Sequence, residues 1–318
     1  MRKGQNPAKS VDQVASPERI TVAVLNYIPF VSGFFAEMPE VLKACLTSLR
    51  NDPGLPFDLM VFDNGSCQEV QQYLLDERSA GRIQYLLLSE KNLGKGGAWN
   101  IIFDAAPGEI IAYADNDVFF YPGWLARSVE ILETYPKAGM VTARPFETRK
   151  EYLTSTFSWI KNDPQVSLEQ GNLIPIEDYR AFGMSIGHSA ESALKGYEES
   201  IAYRATYKGV TAFVGASHWQ FSAYKSVVKQ FLPFDMSKPM GQVIQMDQKI
   251  NEAGYLRLMV SDPLAMNMSN TPILTTEPAA ENKKGKKASI FKRFLEFRVV
   301  KKSLLSLYHL IFRWYYHE

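Results

Sequence analysis

The tripeptide Asp115-Asn116-Asp117 follows the apolar run 109–114 (EIIAYA). Two carboxylates one residue apart at a strand end can both reach one small pocket. They suit a hard divalent cation that itself grips phosphate oxygens, such as Mg2+ or Mn2+. Such a cation neutralises charge on a leaving diphosphate. The same tripeptide also forms ordinary solvated acidic turns. Asp63 ends a second apolar run, 57–62 (FDLMVF), where a carboxylate can accept a hydrogen bond from a nucleobase N–H. Asp63-Asn64-Gly65 is equally a good turn sequence. Asn92-Leu93-Gly94-Lys95-Gly96-Gly97 precedes a helical pattern. Its glycines allow close backbone approach to a phosphate at a helix start, with Lys95 beside it, or simply make a loop. His218 and Trp219 are candidates for acceptor contact, with a hydrogen-bonded structural histidine as the plainer reading of His218. Trp124 suits either stacking on a sugar or filling a core.

These positions need elements to hold them. Run 20–25 (ITVAVL) reads as a strand buried on both faces, 57–62 as a second buried strand, and 83–88 (IQYLLL) and 109–114 as a third and fourth strand. Residues 39–49, 68–77, 97–106 and 123–135 have helical spacing, and 139–143 makes a further short strand. Strands alternating with such helices predict βαβ units, a mostly parallel sheet and an α/β fold. The polar clusters fall at the carboxyl ends of strands, where open α/β sheets bind ligands. Residues 146–209 are less regular and read as an insertion or acceptor-side subdomain. Regular patterning returns at 210–214, 223–231, 244–253 and 256–260.

Of 318 residues, 46% are hydrophobic and 22% charged, and the formal net charge is +1, which points to no nucleic-acid partner. Residues 1–18 are polar and predict a flexible lead-in with no secretory signal. The two cysteines, Cys45 and Cys67, provide neither a disulfide framework nor a zinc spacing, which fits a reducing, cytoplasmic setting. Residues 281–318 carry ten Lys/Arg against three Asp/Glu. Residues 275–289 have linker composition. In 290–318, Phe297, Val300, Leu304, Leu307, Tyr308, Ile311, Trp314 and Tyr315 recur at helical spacing. The uncharged stretch 303–312 is about half the length needed to span a bilayer. A basic aromatic amphipathic helix suits docking at the inner, anionic membrane surface, or packing on protein.

Taken in order, several segments resemble the inverting family-2 glycosyltransferases of the GT-A fold over residues 20–269. They are Asn26, Asp63-Asn64-Gly65-Ser66, Asn92-Leu93-Gly94, Asp115-Asn116-Asp117, Gly215-Ala216-Ser217, Phe234-Asp235, Met246-Asp247 and Ala253-Gly254-Tyr255. The resemblance implies a GT-A-type nucleotide-sugar-binding domain over 19–274, followed by the amphipathic tail. It implies that Asp63 binds the nucleotide base, with Asn26 nearby in the donor pocket. Asp115 then faces the ribose or sugar, Asp117 holds Mg2+ or Mn2+, and Asp247 takes the proton from an acceptor hydroxyl. With a membrane tail, the expected acceptor is lipid-linked or a saccharide, as in envelope glycan assembly. Two departures stand out. Met246 occupies a position where the family often has Glu, and Asn267 or Asn270 stands near where it often has a ligand His. They leave room for a non-catalytic, membrane-attached partner that keeps the fold. A sugar nucleotidyltransferase would want a Gly-rich basic loop after the first strand, where this chain has Asn26-Tyr27-Ile28-Pro29.

Overall fold

The protein is described here by a computed structural model. It describes residues 14–236 and 243–272, with 4–6, 8, 11 and 306 besides. The expected linker 275–289 and tail 290–318 therefore lie outside the described residues, apart from Ser306. All elements below belong to the unit that ends at Leu274.

The first half delivers the expected alternation. Strand β1 (Ile20–Asn26) leads to α1 (Met38–Ser48), β2 (Asp58–Asp63), α2 (Gln68–Ser79), β3 (Tyr85–Leu88), α3 (Gly94–Ala105) and β4 (Ile110–Asp115). A short β5 (Val118–Phe120), α4 (Trp124–Thr134) and β6 (Ala138–Thr142) follow. The 146–209 segment contains α5 (Thr154–Asn162), β7 (Ser167–Gly171), α6 (Ile176–Ser185), α7 (Ala190–Glu199) and β8 (Ala202–Tyr207). The chain then adds β9 (Val210–Val214), β10 (Gln220–Tyr224), α8 (Lys225–Val228), α9 (Val243–Glu252), β11 (Leu256–Met259) and β12 (Ala265–Asn267).

Ten strands form one sheet in the order β3-β2-β1-β4-β10-β6-β11-β9-β8-β7. The β3-β2-β1-β4 part is parallel, as the βαβ pattern requires. Strand β10 enters antiparallel between β4 and β6, and β7, β8 and β9 extend the sheet as antiparallel neighbours. The parallel run thus ends at the strand that begins next to His218 and Trp219. In a separate two-stranded sheet, β12 pairs with β5.

Strands β1, β2 and β4 are buried on both faces, whereas β3, at the sheet edge, is only partly buried and leaves Leu88 exposed. On one face, Val22, Val24, Leu59, Val61 and Ala112 join Val41, Leu42 and Leu46 of α1 and Leu125 and Val129 of α4. On the other, Ala23, Leu25, Met60, Phe62 and Tyr113 join Trp99 and Phe103 of α3 and Met246 and Ile250 of α9. Trp124 belongs to the first of these cores, packed against Phe120 with its indole N–H toward the Leu49 carbonyl, so it is not a sugar platform. Met246 is fully buried among apolar side chains. A glutamate there would sink a carboxylate into the core, a physical reason for this chain's departure from the family pattern. Met246→Glu is expected to destabilise the domain by about 3 kcal/mol or more. Met246→Leu should cost under about 1.5 kcal/mol. The shift in urea midpoint at constant m-value measures both.

Candidate active site

Parallel register brings the first polar residues together. Asn26 pairs with Asp63 across β1 and β2, and Leu25 with Asp115 across β1 and β4. Asn26 is buried, and its Nδ2 donates to Asp63 Oδ1 at 2.7 Å and to Ser66 Oγ at 3.0 Å. Its Oδ1 accepts from Asn116 Nδ2 at 2.7 Å. Asp63 Oδ2 accepts further bonds from the Ser66 backbone N–H and Gln71 Nε2, at 3.0 and 3.3 Å. Asp63 is thus a buried, internally bonded carboxylate held at the strand end.

Asn64 joins this turn to the start of α3. It accepts from the Leu93 N–H and donates to Asn92 Oδ1, both at 2.9 Å, and Asn92 Oδ1 also accepts from the Gly94 N–H at 2.9 Å. Gly65 has φ +88°, and a Cβ there would meet the Asn92 nitrogen at 3.0 Å, so this close approach requires glycine. The Leu93 and Gly94 amides at the helix start are therefore held by the protein's own side chains.

Lys95 is buried and turned inward. Its Nζ donates to Asp115 Oδ2 at 2.6 Å and lies over the rings of Trp99 and Tyr113, at 5.4 and 5.7 Å. Tyr113 donates its hydroxyl to Asp115 Oδ1 at 2.6 Å. Burial, with Asp115 beside it, pushes that phenol well above its ordinary range. Asp115 is thus charge-balanced from within the protein.

Asp117 is not. Its Oδ2 accepts a 3.3 Å bond from Asn267 Nδ2, while its Oδ1 is shut from solvent and has no hydrogen-bond partner. Burial first, then the charge of Asp115, push this carboxyl up to about 7, against the pull of Lys95 and Asn267. Asn267 is placed by the β5–β12 pair, and Ser269 N–H at 2.8 Å holds its Oδ1, which turns its amide nitrogen toward Asp117. Asn270 instead donates to the Phe34 carbonyl. Among the described residues, no group of three or more His, Cys, Asp or Glu is arranged as a metal cage. The orphaned Asp117 oxygen still fits a hard cation whose other oxygen ligands come from a bound diphosphate.

A second charged group stands beside the first. The Asp115 N–H donates to the Trp219 carbonyl at 3.0 Å. His218 and Trp219 form the tip of a hairpin closed by the Ser217–Gln220 bridge. Thr142 pins that tip, its hydroxyl accepting from the Ser217 N–H at 2.9 Å and donating to the Gln220 carbonyl at 3.0 Å. His218 Nδ1 lies 2.7 Å from Asp247 Oδ2 on α9. Asp247 Oδ1 accepts from Arg257 Nη2 at 2.6 Å, and the same guanidinium reaches the Ala216 carbonyl at 2.6 Å and the Tyr152 carbonyl at 2.9 Å. Burial lowers the pKa of Arg257, and Asp247 opposes that shift.

The structure therefore connects Asn26, Asp63, Asp115, Asp117, His218 and Trp219 through adjoining strand ends and turns, and joins Asp247 of α9 to them through His218. The residues that sequence reasoning missed are Arg257, Tyr113, Asn116 and Asn64. Arg257 left one trace, as the lone charge in the apolar run 256–260, since a charge in a buried strand needs a partner.

Beyond Trp219, the 146–209 segment forms a cleft of about 300 Å³ lined by Phe146, Glu147, Arg149, Tyr179, Phe182 and His188, among others. None of the carboxylates of the strand-end cluster lines it. Phe182 stacks on Trp219 with ring centroids 5.9 Å apart, and Phe146 lies 6.4 Å from the same ring. Aromatic packing thus joins this cleft to the hairpin tip that carries His218.

The glycosyl transferase family 2 profile matches residues 31–189, half of the chain, and the chain belongs to that family. An uncharacterized glycosyltransferase of Nostoc sp. strain PCC 7120 is 26% identical over 125 residues, covering 39% of this chain and 35% of that protein. Among solved structures, S. aureus TarS residues 1–349 are 13% identical, with 78% of this chain and 59% of that chain covered at a TM-score of 0.45. A Pyrobaculum calidifontis mannosyltransferase in complex with GDP-Man and Mn2+ is 15% identical, covering 79% of this chain and 56% of that chain at 0.44. GalNAc-T7 with UDP, GalNAc and Mn2+ is 14% identical, covering 79% of this chain and 44% of that chain at 0.46. The chain thus spans less than two thirds of these proteins. Family membership and the strand order together give the α/β, GT-A-type fold that the sequence resembled.

Asp117 yields a pH prediction. Its folded carboxyl holds a proton more tightly than the unfolded one, so the metal-free protein binds more protons folded than unfolded between the ordinary carboxylate range and about 7. Stability therefore falls as pH rises through that window. Asp117→Asn should remove this contribution. The difference in Tm between variant and wild type, measured in chelator, should grow in the variant's favour from pH 4 to 8. A difference independent of pH contradicts the assignment.

Proposed function

We propose that this protein transfers a sugar from a nucleotide diphosphate sugar to an acceptor hydroxyl, with inversion at the anomeric carbon. The observation that carries this reading is the orphaned, buried Asp117 oxygen beside Asp115, one hydrogen bond from the His218–Trp219 tip. An acidic group without its own counter-charge thus adjoins a group able to take a proton.

Asn26 and Asp63 are fully buried and internally bonded, so they shape the donor side from beneath, and the base and ribose would lie over them at the ends of β1 and β2, beside Asn92 and Gly94. Lys95 places a fixed positive charge beside the carboxylates, where diphosphate charge would gather. Asp117, with Asp115 next to it, would hold Mg2+ or Mn2+, which when bound supplies charge neutralisation to the departing diphosphate. The Asp247 end of the site receives the acceptor proton. Trp219 and the Phe146–Phe182 cleft form the acceptor side, since aromatic faces suit the C–H faces of a sugar ring. A lipid-linked or saccharide acceptor suits this lining. The basic aromatic tail, 290–318, is proposed to hold the protein on the inner face of the membrane, where each Lys or Arg near an anionic surface contributes about 1 kcal/mol. Among the described residues, no helix is long and apolar enough to cross a membrane.

The test is release of nucleoside diphosphate from a panel of UDP- and GDP-sugars with Mg2+ or Mn2+. Wild type is expected to turn over at least one donor, and Asp117→Ala to lose about 10²-fold or more. Equal inactivity of both proteins across the panel favours a non-catalytic partner. Removal of residues 275–318 should keep donor turnover and abolish co-sedimentation with phosphatidylserine vesicles.

A further inference from the structure

We propose that the atom taking the acceptor proton is Nε2 of His218, with Asp247 as its positioning residue rather than the base itself. This rests on the glycosyl-transfer reading above and assigns the proton within it.

Three observations carry it. First, both Asp247 oxygens are already engaged, Oδ1 by Arg257 Nη2 at 2.6 Å and Oδ2 by His218 Nδ1 at 2.7 Å. Second, the Asp247 side chain is 7% exposed and the Arg257 side chain 1%, whereas that of His218 is 26% exposed. Of the three, the imidazole is the group a substrate can reach. Third, the buried guanidinium is permanently charged and requires an anion, which Asp247 supplies. A carboxylate only accepts hydrogen bonds, so the bond runs from Nδ1–H to Oδ2 and leaves the lone pair on Nε2. The hairpin tip pinned by Thr142 fixes the ring's position, and its neighbour Trp219 leads to the aromatic cleft.

The acceptor hydroxyl gives its proton to Nε2 while its oxygen forms a bond to the anomeric carbon. The bond from that carbon to the diphosphate oxygen breaks, and its electron pair leaves with the nucleoside diphosphate. The resulting imidazolium lies against Asp247 and later releases its proton to water. Among the described residues, the charged groups bonded to the ring or to its partner are Asp247 from α9 and Arg257 from β11, while the Asp115 backbone N–H meets the adjoining Trp219 carbonyl. Ser217, Trp219 and Gln220 on the ring's own segment carry no charge.

Two measurements test this. In 15N spectra of the free wild-type protein, with His218→Gln assigning the signal, neutral His218 should be the Nδ1–H tautomer. Asp247→Asn should change that signal. An Nε2–H tautomer at His218 overturns the proposal, because its Nε2 then has no lone pair to accept a proton. In transfer assays with a donor and acceptor that wild type uses, His218→Ala should lower kcat about 10²–10⁴-fold with donor KM unchanged. Added imidazole should restore part of the rate. Retention of kcat within threefold, or a change confined to acceptor KM, overturns the proposal and returns the base role to Asp247. A wild type that transfers no sugar overturns the glycosyl-transfer reading and this step with it.

Discussion

The geometry of the site depends on what one buried amide does between three strand ends. Asn26 donates to Asp63 and Ser66 and accepts from Asn116, so the turn after β2 and the turn after β4 are both fixed to the end of β1. Only a side chain with donor and acceptor on one planar group can do this. A carboxylate at position 26 would face Asp63 with like charge, and an aliphatic residue would leave two buried polar groups unmet, at about 1–3 kcal/mol each. Asp115 and Asp117 flank the residue that Asn26 holds, so their position relative to Asp63 follows from that contact.

Charge is then divided between two centres. At the first, Lys95 and Tyr113 satisfy Asp115, while one oxygen of Asp117 remains without a partner. At the second, Arg257, Asp247 and His218 form a closed chain of hydrogen bonds ending in an accessible imidazole. Buried carboxylates are normally paired or bound to a cation. On the proposed function, the one unpartnered Asp117 oxygen is where a bound cation would contribute what the protein leaves out. Backbone contact between Asp115 and Trp219 keeps the two centres in one frame, which suits a reaction that develops negative charge on one side and releases a proton on the other.

Much of the first half was legible because β1, β2 and β4 are continuous apolar runs that admit few other readings. Strand β9 at Val210–Val214 was equally plain. Strand β10 was hidden, since Gln220–Tyr224 mixes polar and apolar residues that are all packed between two neighbours, Tyr224 excepted. The start of α3 lies three residues earlier than its spacing suggested, because Gly94, Gly96 and Gly97 carry no periodic signal. Candidate site residues were legible by type and by position at strand ends. Their partners were not. Sequence cannot say that Lys95 turns inward to Asp115, or that Arg257, ten residues after Asp247, comes back from β11 to pair with it. Such pairings are set by tertiary packing, and only the lone charge within 256–260 hinted at one.

On the proposed function, the Asp117 centre and the His218 centre face one bound donor. The most direct measurement of this arrangement is paramagnetic broadening by Mn2+ in the presence of a nucleoside diphosphate, read at the His218 imidazole. Strong, nucleotide-dependent broadening of that signal is expected, lost in Asp117→Asn. A His218 signal that stays sharp while Mn2+ and nucleotide are bound would place the two centres on separate surfaces and contradict it.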